Sequence, residues 1–248
     1  MILVIPLAGR GSRLASEYST RPKPLIEIEG RLMIEWALLG LRNVPRRKTV
    51  FVALEEHDRQ FHITSTIQSI AGSESEFVLL SEVTEGQLCT VLAAKQFFQD
   101  NEDILIAACD TLVMSQIDKD IRERPADCAG IISVCDMPGD RWSFARTDET
   151  GSVIEVTEKV RISSNASTGL YYFAQTNELV NIADQMLATK ETTRGEYYVM
   201  PVYQKLIDSG RKVLLSQASG MWDMGNPESI KLFQENLSRL GSIEAIRQ

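Results

Sequence analysis

With 248 residues, 44% of them hydrophobic and 24% charged, the chain has ordinary globular proportions and enough length to bury one sizeable core, so a single domain spanning 1–248 is the expectation. A formal net charge of -8 argues against a nucleic-acid polymer as partner, because such binding draws most of its affinity from clustered Lys and Arg, and the run Arg46-Arg47-Lys48 is short. Four cysteines without a C-x-x-C pair (Cys89, Cys109, Cys128, Cys135) argue against a zinc or disulfide framework and fit reduced thiols in the cytoplasm, and no segment approaches the roughly 20 apolar residues of a membrane span.

The apolar opening Met1-Ile2-Leu3-Val4-Ile5 carries no positive flank and runs into a Pro and a Gly loop, so it reads as a strand, with the first strand at 2–7, rather than a signal peptide. Leu32, Ile34, Trp36, Leu38, Leu39 and Leu41 then crowd one largely buried, helix-length segment. Strands are predicted at 49–54 and 77–80, with a helix over 58–71 that ends at Gly72 between them. Thr84 and Gln87 stand in capping-box spacing before a helix whose apolar face is Leu88, Val91, Leu92 and Ala94. The run 104–108 is continuously apolar and predicts a central strand buried on both faces, with Asp110 just past its end. Further strands are predicted at 129–135, 144–147, 153–157 and 170–173, with Asp148-Glu149-Thr150-Gly151 turning a hairpin. Helices at about 177–187 and 197–209 follow, then a strand at 213–215, and Asn226 with Pro227 starts a terminal helix over 228–240. Strands alternating with helices give an α/β class with a mostly parallel sheet.

The loop Leu7, Ala8, Gly9, Arg10, Gly11, Ser12, Arg13, Leu14 follows the first strand, and its two glycines let the backbone turn sharply and present bare N–H groups to phosphate oxygens. The dinucleotide fingerprint requires a third Gly where Leu14 stands, and the P-loop requires G-K-[ST], which is absent. What remains is a set of N–H donors plus two cations, Arg13 and Lys23, with Lys23 held between two prolines, an arrangement suited to a triphosphate.

On these residues, together with Lys23-Pro24-Leu25, Asp110, Glu158-Lys159, Arg194-Gly195-Glu196 and Trp222-Asp223-x-Gly225-x-Pro227, the chain resembles the sugar-phosphate nucleotidyltransferases, the nucleotide-sugar pyrophosphorylase family that includes glucose-1-phosphate thymidylyltransferase and related small cytidylyltransferases. The order and spacing of the motifs, spread over nearly the whole chain, carry the likeness. It departs from the usual Gly-Gly opening at Ala8-Gly9 and adds Arg10. The resemblance implies a Rossmann-like mixed sheet flanked by helices, with a nucleotide-binding half (about 1–125) and an acceptor-binding lobe largely from the second half (about 126–248). It implies that Gly9, Gly11, Arg13 and Lys23 hold the triphosphate, that Leu7, Ala8, Ser12 and Asp110 also belong to the nucleotide site, and that Gly86, with Ser81 nearby, lies against the base. It implies that Asp110 and Asp223 bind Mg²⁺, that Lys159 and Arg194 bind the acceptor phosphate, and that Glu158, Gly169 and Trp222 belong to the acceptor site. Arg13, Lys23, Asp110 and Asp223 are then the catalytic set.

The expected reaction is attack of an acceptor phosphate oxygen on the α-phosphorus of an NTP, with pyrophosphate leaving. A sugar 1-phosphate is the first expectation for the acceptor, and a small non-sugar phosphate taken by a cytidylyltransferase is the alternative. A glycosyltransferase would place D-x-D after the central strand, where this chain reads Asp110-Thr111-Leu112. A non-catalytic nucleotide-sugar sensor would be expected to lack a metal aspartate or a phosphate cation, and none is missing. Residue types leave the base and homo-oligomer formation open.

Overall fold

The computed structural model describes residues 1–11, 13–14, 18 and 21–239; Ser12 of the loop and Leu240 of the predicted terminal helix lie outside the described residues. The first apolar run forms β1 (Ile2–Pro6), and its side chains divide between two cores as a strand's must. Ile2 and Val4 enter one hydrophobic cluster, Leu3 and Ile5 the other. Apart from a short antiparallel ribbon of β2 (Glu27–Ile28) and β3 (Arg31–Leu32), β4 (Lys48–Leu54), β5 (Ser75–Leu80) and β6 (Ile104–Ala107) extend the layer in parallel, in the order β5-β4-β1-β6. Continuous apolar character is therefore the mark of burial on both faces, each fully buried Val, Leu or Ile contributing about 1.5–3 kcal/mol.

The second half continues the same sheet. β11 (Asn165–Phe173) runs antiparallel between β6 and β8 (Cys128–Asp136), and β12 (Lys212–Asp223) lies parallel to β8. The sheet ends at β7 (Thr111–Ser115), antiparallel to β12, and a hairpin of β9 (Ser143–Thr147) and β10 (Val153–Glu158) branches off β11. On one face, α4 (Gln87–Leu92), α6 (Thr176–Thr189) and α7 (Met200–Asp208) contribute Leu88, Leu179 and Leu206 to the core. On the other, α1 (Met33–Leu39), α3 (Ile63–Ala71) and α5 (Ile117–Glu123) contribute Ile34, Ile67 and Ile121. A third, smaller cluster joins Leu14, Trp36 and Leu112 to Met224 and Phe233, with Phe233 on α8 (Pro227–Arg239).

Several expectations are corrected. The helix predicted over 58–71 is two, α2 (Glu55–Phe61) and α3, broken at His62, whose φ of 53° is left-handed. The Thr84 capping box does not form, because Gly86 caps α4 and the Thr84 hydroxyl donates to the Gly86 carbonyl and pairs with the Thr90 hydroxyl. α7 starts at Met200 rather than 197, and α1 stops at Leu39. The strand expected at 213–215 runs twelve residues, because ladder bonds to β8 and β7 carry it through the polar stretch 216–220. β7 and α5 were not expected at all. Asn226 does cap α8, its side-chain oxygen accepting from the Ser229 N–H at 2.9 Å.

Candidate active site

β1 and β6 end at one edge of the sheet, and the loops leaving them form one wall and the floor of a cleft of about 510 Å³. Leu7, Ala8, Gly9, Gly11 and Arg13 line one side, 83–87 with Thr90 the other, and Ala108, Cys109 and Asp110 the floor. Gly11 takes φ 62°, where glycine costs least, and its carbonyl accepts the Leu14 N–H at 2.9 Å, while Leu14 itself is buried in the third cluster. Openings at the carboxyl ends of parallel strands are where such sheets bind ligands.

Lys23 sits in a short 3₁₀ turn, Lys23–Leu25, fixed by Pro22 and Pro24, and its ammonium is ion-paired and hydrogen-bonded to Asp110. Burial opposes charge on both partners. The pairing outweighs it, holding Lys23 above and Asp110 below their usual ranges, so both remain ionised. Asp223, distant in sequence, arrives beside them because β7 begins right after Asp110 and pairs with the end of β12, in the register Thr111 to Asp223. The Met224 N–H also donates to the Asp110 carbonyl at 2.8 Å. Burial and then the Asp110 charge push the Asp223 carboxyl above its usual range, against Arg141 and Ser229. Arg141 lies 3.0 Å from Asp223 Oδ2, and Oδ1 accepts the Gly225 N–H at 3.1 Å.

Gly225 is the floor tile of this knot. A Cβ there would stand 2.8 Å from Asp223 Oδ1, 3.3 Å from Asp110 Oδ2 and 3.4 Å from Lys23 Nζ. Two carboxylates and one ammonium thus converge on a position that only glycine leaves open. Among the described residues no group of three or more His, Cys, Asp and Glu side chains is placed to hold a metal. A two-carboxylate set of this kind suits Mg²⁺, which takes its remaining ligands from phosphates and water.

The residues expected on the acceptor side gather beyond the cleft's rim, where Gly195 and Glu196 stand. Glu158 accepts the Ser143 hydroxyl, and its carboxyl is raised, chiefly by burial. Lys159, left-handed at φ 57°, is hydrogen-bonded to the Tyr198 hydroxyl, with its ammonium 4.4 Å from that ring's centroid. Arg194 donates to the Lys159 carbonyl at 3.3 Å. Burial raises the Tyr198 phenol, Glu196 and Glu158 add to this and Arg13 opposes it, so the two sides of the site share one electrostatic neighbourhood. Gly169, at φ 84°, backs the floor, where a Cβ would meet Ala108 Cβ at 2.8 Å. Gly86 locks the rim to the far wall, since a Cβ there would stand 2.4 Å from the Tyr197 carbonyl oxygen. The Tyr197 carbonyl accepts the Leu88 N–H and its N–H donates to Glu85, both at 3.0 Å.

The structure therefore brings together Leu7, Ala8, Gly9, Gly11, Arg13, Lys23, Gly86, Asp110 and Asp223, with Glu158, Lys159, Gly169 and Arg194 beside them. It does not bring in Ser81, which is exposed and does not line the cleft, or Trp222, which packs over Gly220 and against the third cluster. Thr84, Thr90 and Glu196 line the cleft, and Tyr198 and Arg141 contact Lys159 and Asp223, placements that sequence reasoning did not reach. Glu196 stood inside a quoted motif, whereas Arg141 lies in a turn with no pattern to mark it. Cys109, on the floor, has its thiol pushed up to about 12 by burial and then by Asp110, which favours the protonated thiol over the thiolate.

The family profile described as nucleotidyl transferase matches residues 2–239. The chain is similar to the bifunctional protein GlmU of Methanococcus maripaludis, at 26% identity over 231 residues, covering 92% of this chain and 52% of that protein. It is also similar to the UTP–glucose-1-phosphate uridylyltransferase AglF of Haloferax volcanii, at 25% identity, covering 92% of this chain and 93% of the relative. The chain spans about half the length of the GlmU proteins it matches. Among solved structures, the nucleoside-diphosphate-sugar pyrophosphorylase of Vibrio cholerae superposes with a TM-score of 0.79 at 26% identity, covering 95% of this chain and all of the other. The inositol-1-phosphate CTP transferase of T. maritima shares the fold, with a TM-score of 0.73 at 14% identity, covering 97% of each chain. With a profile match over nearly its entire length, on a sheet whose cleft gathers the motif residues, the chain belongs to the nucleotidyl transferase family.

Proposed function

We propose that this chain, acting as one catalytic domain in the cytoplasm, transfers a nucleotidyl group from an NTP to a phosphorylated acceptor, releasing pyrophosphate. The observation that carries the reading is the knot of Lys23, Asp110, Asp223 and Gly225 on the floor of a cleft edged by Gly9, Gly11 and Arg13. A sugar 1-phosphate is the acceptor class favoured by the likeness to the Haloferax uridylyltransferase.

An acceptor phosphate monoester has a second pKa of about 6, so its oxygen is already mostly ionised at neutral pH and no strong base is required. The acceptor oxygen forms a bond to the α-phosphorus as the bond from that phosphorus to the β-bridging oxygen breaks, and the electron pair leaves with pyrophosphate. The chain's task is to align two anions and neutralise the growing charge. Backbone N–H groups of 8–11 and the Arg13 guanidinium hold the β- and γ-phosphates, and Lys23, poised by Asp110, meets the leaving group. Lys159 and Arg194 receive the acceptor phosphate, and Glu158 receives an acceptor hydroxyl. Asp110 and Asp223 would hold Mg²⁺, which when bound offsets phosphate charge that the side chains alone do not cover. Leu112, two residues after Asp110, is fully buried in β7 and cannot complete a D-x-D metal site, which counts against the glycosyltransferase reading.

The test is pyrophosphate release with Mg²⁺, each of the four ribonucleotides and dTTP, against a panel of sugar and non-sugar phosphates. Release with a sugar 1-phosphate is expected. Release only with a non-sugar phosphate and CTP would move the chain to the alternative acceptor class, and no release with any pair would refute the enzymatic reading.

A further inference from the structure

Asp223 is held by the backbone of its own segment, by the Ser229 hydroxyl at the start of α8 and by an arginine from a loop distant in sequence. Its Oδ1 accepts the N–H of Gly225, two residues on. Its Oδ2 is paired at 3.0 Å with Arg141, which comes from the 137–142 loop joining β8 to β9. The Arg141 side chain is 46% exposed while that of Asp223 is 12% exposed, so the arginine reaches in from the rim toward an enclosed carboxylate.

Four further contacts build on that reach. Arg141 Nη2 also donates to the Ser229 hydroxyl at 3.0 Å, on the first turn of α8. The guanidinium lies over the Trp142 ring, 4.1 Å from its centroid, and the indole N–H is anchored on the Pro138 carbonyl at 3.0 Å. The Trp142 carbonyl accepts the Lys159 N–H at 2.9 Å, at the left-handed turn that presents the Lys159 side chain. A planar guanidinium with fixed donor directions can serve a carboxylate, a hydroxyl and an aromatic face together, which an ammonium on a flexible stem cannot. The result is one continuous chain of contacts, Asp223 to Arg141 to Trp142 to Lys159.

We propose that Arg141 is a positioning residue that holds the Asp223 carboxylate on the Asp110 and Gly225 knot and, through Trp142, keeps that knot in register with the acceptor-side lysine. It touches no reacting atom; it acts through Asp223. This rests on the function proposed above. Partners that orient an active-site carboxylate cost about 10–100-fold in activity when removed, and Arg141 belongs in that range. The loss falls on kcat rather than on nucleotide KM, because Arg141 makes no hydrogen bond or ion pair with the described residues of the loop 7–13.

The experiment compares wild type, Arg141→Met, Arg141→Lys, Asp223→Asn and the double variant Arg141→Met/Asp223→Asn in pyrophosphate release. A crystal structure of Arg141→Met gives a readout independent of activity. Arg141→Met is expected to lower kcat about 10–100-fold with little change in nucleotide KM, and Arg141→Lys to recover part of the loss. In the Asp223→Asn background Arg141→Met should cost nothing more, and in the crystal the Asp223 carboxylate should have turned off the Gly225 N–H. Losses that multiply in the double variant, a kcat close to wild type for Arg141→Met, or an Asp223 unmoved in the crystal would each overturn the proposal. A wild-type protein that releases no pyrophosphate would refute the proposed function instead, and the position of Asp223 in the variant crystal would still decide whether Arg141 holds it.

Discussion

Gly225→Ala tests the site with one methyl group. The φ of Gly225 lies outside the left-handed region, so the backbone accepts alanine and the whole effect is steric. The added Cβ would stand 2.8 Å from Asp223 Oδ1, where ordinary contact begins at 3.4 Å, and just inside that limit from Asp110 Oδ2 at 3.3 Å. Asp223 must retreat by about 0.6 Å, and because a misplacement of about 1 Å in a catalytic array costs about 100-fold, kcat should fall about 10- to 100-fold, a rise of about 1.4–2.7 kcal/mol in the barrier. Crowding should cost the fold about 1–3 kcal/mol at most, leaving the variant folded. Steady-state pyrophosphate release measures the first quantity and thermal unfolding the second. A folded Gly225→Ala enzyme with wild-type kcat would refute the claim that the two carboxylates and Lys23 work as one closely packed unit.

Other consequences follow from the same geometry. Gly9→Ala meets no atom of the described residues within 4 Å and no left-handed backbone, so thermal stability should hold while the new methyl intrudes on the triphosphate path, raising nucleotide KM about tenfold (about 1.4 kcal/mol); an unchanged KM would remove Gly9 from the nucleotide contacts. Gly86→Ala, at φ 148° and 2.4 Å from the Tyr197 carbonyl oxygen, should destabilise the protein by roughly 2–4 kcal/mol in denaturant unfolding, and a loss below about 1 kcal/mol would show that the rim is not locked there. Burial pushes the Glu102 carboxyl up, but the Arg47 hydrogen bond and charge win and hold it below its ordinary value of 4.5. A depressed carboxylate contributes stability above 4.5 that is lost as pH falls through the folded-state value. Arg47→Gln should therefore lose about 0.5 kcal/mol, and under 1 kcal/mol, at neutral pH, because the pair is partly exposed. The gap between variant and wild type should close as unfolding is followed to more acid pH, and a gap that widened there would contradict the assignment.

The parallel core was legible because burial on both faces demands continuous apolar runs, and those at 2–6 and 104–107 admit little else. The glycine loop was legible for a similarly local reason: Gly11 needs its left-handed φ, and Leu14 needs a core, so the loop's path follows from its own residues. Harder were the elements held by their neighbours. β12 crosses the polar stretch 216–220 only because β8 and β7 supply ladder partners, and the His62 break within 55–71 has no Gly or Pro to announce it.

For the site, the residue types stood in the sequence and their company did not. Lys23 between two prolines, Asp110 after an apolar strand and the glycines of 9–11 declare their chemistry locally, as charge, strand-end carboxylate and bare backbone. That Asp110 and Asp223 face one glycine depends on β7 pairing with β12, a contact made across more than a hundred residues of chain. That Arg141 grips Asp223 and that Trp222 turns to the third cluster instead of the cleft depend on it too. Side-chain chemistry is a property of each residue and can be read one residue at a time. Proximity is a property of the packed sheet, so only the tertiary structure decided which charges meet.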